Sequence, residues 1–179
     1  MNKYNTDNDK IFIDFSRFNF CFRCVTINNY TNKLKDYNEF LVNFKIIVEK
    51  DIPFFSQYTF DEINKKSNKH SHNVKQNTKE YLNIIDIVKE LYTSMNNGNF
   101  NERDFELFMY NHINDYNIWQ LGVSSGIRMF GIRNSNIFHV LFIDYHHLIY
   151  PSIKYNDENY LLNKFCPMTN INEEDYYGL

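Results

Sequence analysis

Asp144, His146 and His147 stand together at the end of an apolar run, in NIFHVLFIDYHHLIYPS. An imidazole oriented by a carboxylate is the usual general base, so this trio is the first candidate for acid–base chemistry. On a continuing strand Asp144 and His146 share a face and His147 lies opposite. If the chain turns at Asp144 instead, the acid accepts backbone N–H bonds and His147 closes the turn. Tyr150 and Pro151 end any ladder, because proline has no N–H to donate. With no nucleophile or metal beside the pair, the polar turn is the favoured reading. Arg128, Arg133 and His139 lie on the preceding hairpin and could join His146 and His147 as phosphate-binding and acid–base groups. Arg128 and Arg133 are five apart and project to opposite faces of a regular strand, which argues against one convergent site.

Two further clusters have ligand-type spacing. Cys21 and Cys24 form a C-x-x-C, but on a strand that separation turns the sulfurs to opposite faces, one into the core and one out. Segment 64–77, NKKSNKHSHNVKQN, carries Lys65, Lys66, Lys69, His70, His72 and Lys75 and reads as a solvated basic loop. A structural zinc needs four ligands and none completes the His70–His72 pair, so neither metal nor cofactor is expected. The loop is instead the preferred contact for an acidic partner or an RNA or DNA backbone.

These residues need elements to carry them. Phe18, Phe20, Phe22 and Cys24 alternate with polar neighbours and predict a first strand. Leu34, Tyr37, Leu41, Phe44 and Val48 predict a helix over 33–50 with that face inward, ended by Pro53. Thr59 with Glu62, and Asn77 with Glu80, have the spacing of capping boxes. Behind the second, Leu82, Ile85, Val88, Tyr92 and Met95 line a helix that stops near Gly98. Residues 102–112 suggest a third helix, with Phe105, Phe108, Met109 and His112 inward. From Ile118 the period changes to three strands joined by tight turns. The last, 137–143, is apolar on both faces and belongs in the centre of a sheet. The expectation is an α+β domain over 1–155: an antiparallel sheet of about four strands with two to three helices on one side, then an acidic tail over 156–179.

Composition narrows the function. The chain has 179 residues, 18% of them aromatic, enough for a substantial core in one domain. A net charge of −3 lacks the basic footprint of a protein that lives on phosphate backbones, so any such contact is local. No apolar window has membrane-spanning length, and the polar start MNKYNTDNDK has no apolar leader. Three cysteines, an odd number, fit a reducing compartment, so a cytoplasmic protein is expected.

Arg128, Gly131, Asp144, His147 and Tyr150 fall in GIRMFGIRNSNIFHVLFIDYHHLIYPS, an Arg-x-x-Gly hairpin, apolar strand and Asp-x-x-His-x-x-Tyr ending. This pattern, with the early Phe-rich strand and FSQYTFDEI, resembles a loose group of small bacterial proteins met near mobile elements and antiviral defence genes. The resemblance implies a setting without an activity. The element order is also similar to RelE-type messenger-RNA-cleaving toxins, which implies a ribonuclease using Arg128, Arg133, His139, His146 and His147. Size and acidity depart from that family. The favoured expectation is therefore a non-catalytic accessory protein docking on a larger protein or ribonucleoprotein, such as a CRISPR effector, with a homodimer also compatible.

Overall fold

Strand β7, Ile137–Asp144, organises the molecule, because every residue from Phe138 onward is buried. The computed structural model describes residues 9–66, 70–96, 98–113, 117–122, 126–152, 156 and 159–170. β7 pairs antiparallel with β6, Arg128–Asn134, which pairs antiparallel with β5, Asn117–Leu121. This is the expected meander. Among the described residues the sheet has five strands, ordered β1-β7-β6-β5-β4, with β1 at Phe12–Asp14 and β4 at His72–Asn73. A separate hairpin joins β2, Thr26–Ile27, to β3, Tyr30–Thr31, through Asn28, whose φ of 52° suits an asparagine turn. The architecture is α+β.

Several expectations are corrected. The sheet is mixed, because β1 runs parallel to β7, with Phe12 opposite Ile137 and Asp14 opposite His139. The first strand is therefore Phe12–Asp14, in the polar leader, and not 18–24. Residues 18–23 wind through turns, with Cys21 N–H bonded to Phe18 O and Arg23 N–H to Phe20 O. Phe18 and Phe20 are still buried. Two aromatics two apart can reach a core from successive turns as well as from a pleat, so their alternation did not define a strand.

The helices cover both faces of the sheet. On one side lie α1, Tyr37–Ile46, a π turn at Ile47–Asp51, α2, Ile52–Phe55, and α3, Phe60–Lys65. Ile47, Phe55, Phe60 and Ile63 of this group pack with Trp119, Met129, Phe138, Val140 and Ile143. On the other side are α4, Lys79–Met95, and α5, Glu102–His112. Ile84, Ile87, Val88, Leu91 and Phe105 pack there with Ile118, Phe130, Ile132, Leu141 and Phe142. Two helical layers explain why β7 is apolar on both faces.

The helix starting at Tyr37 does not stop at Pro53. The π turn lies just ahead of that proline, with Ile52 N–H reaching Ile47 O, and helical geometry continues to Phe55. Widening the helix there relieves the clash that a proline ring makes with the preceding turn. It also aligns Ile47, Asp51 and Phe55 inward. Of the face expected inward, Leu34 is buried just ahead of the helix, but Tyr37, Leu41, Phe44 and Val48 point out and are 39–49% exposed.

The Thr59–Glu62 capping box forms. The second helix is capped by Thr78, bonded to Tyr81 N–H, instead of Asn77, which takes φ 62°. Leu82 on that helix is exposed, while Gly98 does close it, its N–H bonded to Thr93 O. Within the expected tail, Tyr160–Leu162 forms a 3-10 turn and α6 spans Pro167–Asn170; Phe165 and Leu34 exchange backbone hydrogen bonds of 2.8 and 2.9 Å. Among the described residues no helix is long and apolar enough to cross a membrane.

Registry between β6 and β7 shifts at Phe130/Gly131, so Leu141 is the extra residue of a bulge and joins Phe142 under α4 and α5. A Cβ on Gly131 would overlap the His139 carbonyl and lie 2.6 Å from the Phe138 ring. Gly131→Ala should therefore lower the free energy of unfolding by about 2–3 kcal/mol. Urea denaturation measures this, and an unchanged midpoint would show that the bulge is not held as described.

Candidate functional site

The Asp144 carboxylate closes β7 as a turn. One oxygen accepts the N–H of His146 at 3.2 Å and the other that of Ile149 at 3.0 Å. Burial raises its pKa, against the backbone N–H bonds from Ile149 and Leu148. His147 takes φ 58° at this bend. The His146 ring turns away from Asp144: its Nε2 lies 2.7 Å from the Lys33 carbonyl, and the ring stacks on Tyr160 at 4.2 Å. An Nε2 bonded to a carbonyl carries the proton, so His146 offers no base oriented by the acid.

Arg128 stands opposite Asp144 in the ladder and is buried. Its guanidinium donates to Ile127 O at 2.7 Å and meets His70 Nδ1 at 2.9 Å. Gly122 leaves it room, since a Cβ there would lie 2.5 Å from the arginine Cδ. The Ser71 hydroxyl locks the same backbone, donating to Gly122 O and accepting from Gly122 N–H. Asp51, from the π turn, is also buried, and its pKa is pushed up to about 6 by burial while Arg128 and Lys50 pull it down.

The most complete polar constellation lies elsewhere. His139 Nδ1 is 2.7 Å from Asp14 Oδ2, and its Nε2 is 3.2 Å from Arg17 Nη1. Arg17 Nη2 is 3.2 Å from His112 Nδ1. Only one protonation pattern satisfies every contact. His139 donates Nδ1–H to Asp14 and accepts from Arg17 at Nε2, and His112 accepts from the other arginine nitrogen. The Ser16 hydroxyl and N–H complete the Asp14 shell. Burial and the Arg17 charge lower the His112 pKa. Asp14 is held below its usual value by Ser16 and His139, against the effect of burial. The chain ties β1, β7 and the end of α5 together, and Arg17 covers the nitrogen that a base would use.

The five basic residues that a ribonuclease would need are thus dispersed. His139 belongs to the Asp14–Arg17–His112 chain, Arg128 to the His70 group and His146 to Lys33 and Tyr160. Arg133 stacks on Phe60 at 4.6 Å, and His147 lies at the Asp144 bend.

The basic segment is divided too. Lys65 ends α3 and Lys66 caps it with its ammonium over the Tyr58 ring at 3.8 Å, while Lys75 is exposed. His70 turns inward to Arg128, and His72 lies in β4 with its ring 5.4 Å from Tyr150, so this stretch is in part an edge strand, not a solvated loop. Lys69 lies outside the described residues. Cys21 hydrogen-bonds to the Phe15 carbonyl and Cys24 to the Phe22 carbonyl, so each sulfur of the C-x-x-C has its own backbone acceptor. Among the described residues no three His, Cys, Asp or Glu side chains gather as a metal set.

A family model described as uncharacterised protein UU032 matches residues 16–173. The chain belongs to that family. Uncharacterized protein UU032 of Ureaplasma parvum serovar 3 (strain ATCC 700970) is 28% identical over 172 residues, covering 96% of this chain and 88% of that one. No solved structure matches the chain. The family match takes in Arg17, His112, Arg128 and His139, whereas Asp14 lies just before it.

The Asp51 environment gives a signed pH dependence. Its folded pKa of about 6 lies above the ordinary 3.8, so its stabilisation is complete below the lower value and lost as pH rises through the higher one. Asparagine does not titrate. From about pH 4 to 7 the stability of Asp51→Asn should gain on the parent by about 2–3 kcal/mol, measured by urea unfolding across pH. A gap that stays constant with pH would contradict the buried carboxylate.

Proposed function

We propose that this chain is a non-catalytic docking protein of the cytoplasm that binds a larger protein or ribonucleoprotein through the outer face of α1. The observation that carries the reading is the mismatch between composition and burial in that helix. Six of its ten residues, YNEFLVNFKI, are apolar, yet none is buried. A helix apolar on most sides normally lies inside a protein. Here Tyr37, Leu41 and Val42 are 49%, 44% and 58% exposed, and Phe44 and Val48 extend the stripe. Aromatic and branched side chains in such a row suit the centre of an interface. The polar groups support the same reading from the other side, since the histidines and arginines named above are engaged in holding strands and turns. The defence or mobile-element setting enters this proposal through the resemblance of the Arg-x-x-Gly and Asp-x-x-His-x-x-Tyr pattern. Lys65, Lys66 and Lys75 are exposed and would supply a secondary, salt-sensitive contact to an acidic or nucleic-acid surface.

The test compares capture of one identified partner by parent and variant chains. Leu41→Glu with Val48→Glu should weaken binding at least about tenfold, because charges replace apolar atoms at an interface centre. Both positions are exposed, so folding should be unaffected. Replacing Lys65 and Lys66 should reduce the salt dependence of binding and leave most of the affinity. His139→Gln should retain binding. Growth arrest on expression, relieved by one folded histidine variant, would replace this reading with the ribonuclease one.

A further inference from the structure

Imidazoles hold both terminal nitrogens of the Arg17 guanidinium. Its Nη1 lies 3.2 Å from His139 Nε2, and its Nη2 lies 3.2 Å from His112 Nδ1. A guanidinium has five N–H donors and no acceptor, so each ring nitrogen facing it must offer a lone pair. Among the described residues Arg17 touches no carboxylate, and its further contact is the Phe18 ring at 5.7 Å. Asp14 reaches it only through His139, at 2.7 Å, and is otherwise bonded to Ser16. The remaining donors of a half-buried cation therefore have no protein acceptor among these residues.

The two imidazoles are not equivalent. His139 is buried in β7 with its other nitrogen on Asp14, so it fixes Arg17 in place. His112 ends α5, is half-buried, and packs against the Phe18 and Phe108 rings at 6.0 and 5.2 Å. Burial and the Arg17 charge hold its pKa below the ordinary 6.5, so it is neutral at neutral pH. A proton added at its Nδ1 removes the acceptor and sets two cations side by side.

We propose that Arg17 and His112 form a proton-gated site for a small tetrahedral oxyanion of the phosphate class, where β1, β7 and α5 meet. In the neutral state His112 occupies the Nη2 donor and closes the site. Once Nδ1 is protonated, its N–H and that of Nη2 point at one another, and an anionic oxygen that accepts both relieves the repulsion. The uncommitted N–H groups of Arg17 add donors in the fork that such oxygens fit. A dianion matches the two cations better than a carboxylate does. Of the other ionisable groups nearby, Asp14 stays on the His139 side, and burial pushes the Cys21 thiol up to about 11, which keeps it neutral. Arg133 stacks on Phe60 and Trp119 in the opposite layer. The α1 docking face also lies across the sheet, so this site does not depend on that reading.

Linkage sets the sign of the test. An anion that prefers the protonated imidazole raises the His112 pKa, and its own affinity rises by the same factor as pH falls. Sulfate is the probe, because its charge is constant over this range. At constant ionic strength, calorimetry on the full chain should show sulfate binding at about pH 5.5 at least about tenfold tighter than at about pH 8. The His112 ring signals, followed by NMR, should titrate at least about one pH unit higher in saturating sulfate. Inorganic phosphate should displace the sulfate. His112→Gln keeps an acceptor for Arg17 but takes no proton, so any binding left should be weak and independent of pH. Arg17→Gln should abolish binding; if that variant does not fold, His112→Gln, which leaves the arginine in place, decides alone. No sulfate binding near pH 5.5, binding insensitive to pH, a His112 titration that sulfate leaves unmoved, or parental pH dependence in His112→Gln would each overturn the site.

Discussion

β7 is buried on both sides, and the rest of the structure answers to that. A strand with helices on both faces has no solvent to satisfy a polar side chain, so each one must find a partner within the protein. His139 meets this with Asp14 and Arg17, which brings the N-terminal strand to the sheet edge. Asp144 meets it with two backbone N–H groups, which sets the bend after the strand. On β6, Arg128 meets it with the Ile127 carbonyl and His70, which draws the segment after α3 inward. His139, Asp144 and Arg128 thus each fasten another segment to a double-sided core.

The meander, the three longest helices and the turn at Asp144 were legible in the sequence, because period, caps and a Tyr-Pro stop are local signals. What escaped depended on distant partners. Phe12–Asp14 is too short to show a period, and only its parallel partner, far along the chain, makes it a strand. Asp14 and Arg17 had no visible reason to meet His139. His112 was legible as an inward residue of its helix, but its role was not. The bulge at Leu141 erased the strict alternation that would have assigned Phe142 to a face.

The helix at Tyr37–Ile46 shows a different limit. It is apolar on more than one side, so periodicity alone could not choose which stripe faces the sheet. The choice is made by the π turn, which fixes Ile47, Asp51 and Phe55 inward. Once they are inward, Leu41, Phe44 and Val48 must face out. The unusual turn and the exposed stripe are thus one feature, and a regular helix at this position would bury a different set of side chains. Trp119 and Phe60, with Arg133 over both, fill the sheet side of the same layer.

The parallel pairing of Phe12–Asp14 with Ile137–His139 has a consequence for how the molecule is made. During synthesis β1 waits for its neighbour until the ribosome has delivered most of the chain, an interval of about ten seconds at usual elongation rates. Until then the helical layers have no completed sheet to cover, and their apolar faces are open to water and to one another. Contacts this distant in sequence also slow the final search, because the loop between them must be closed before it is rewarded. The nascent chain is therefore most exposed to aggregation late in its translation, when α1 to α5 exist and the strand that joins them is just emerging.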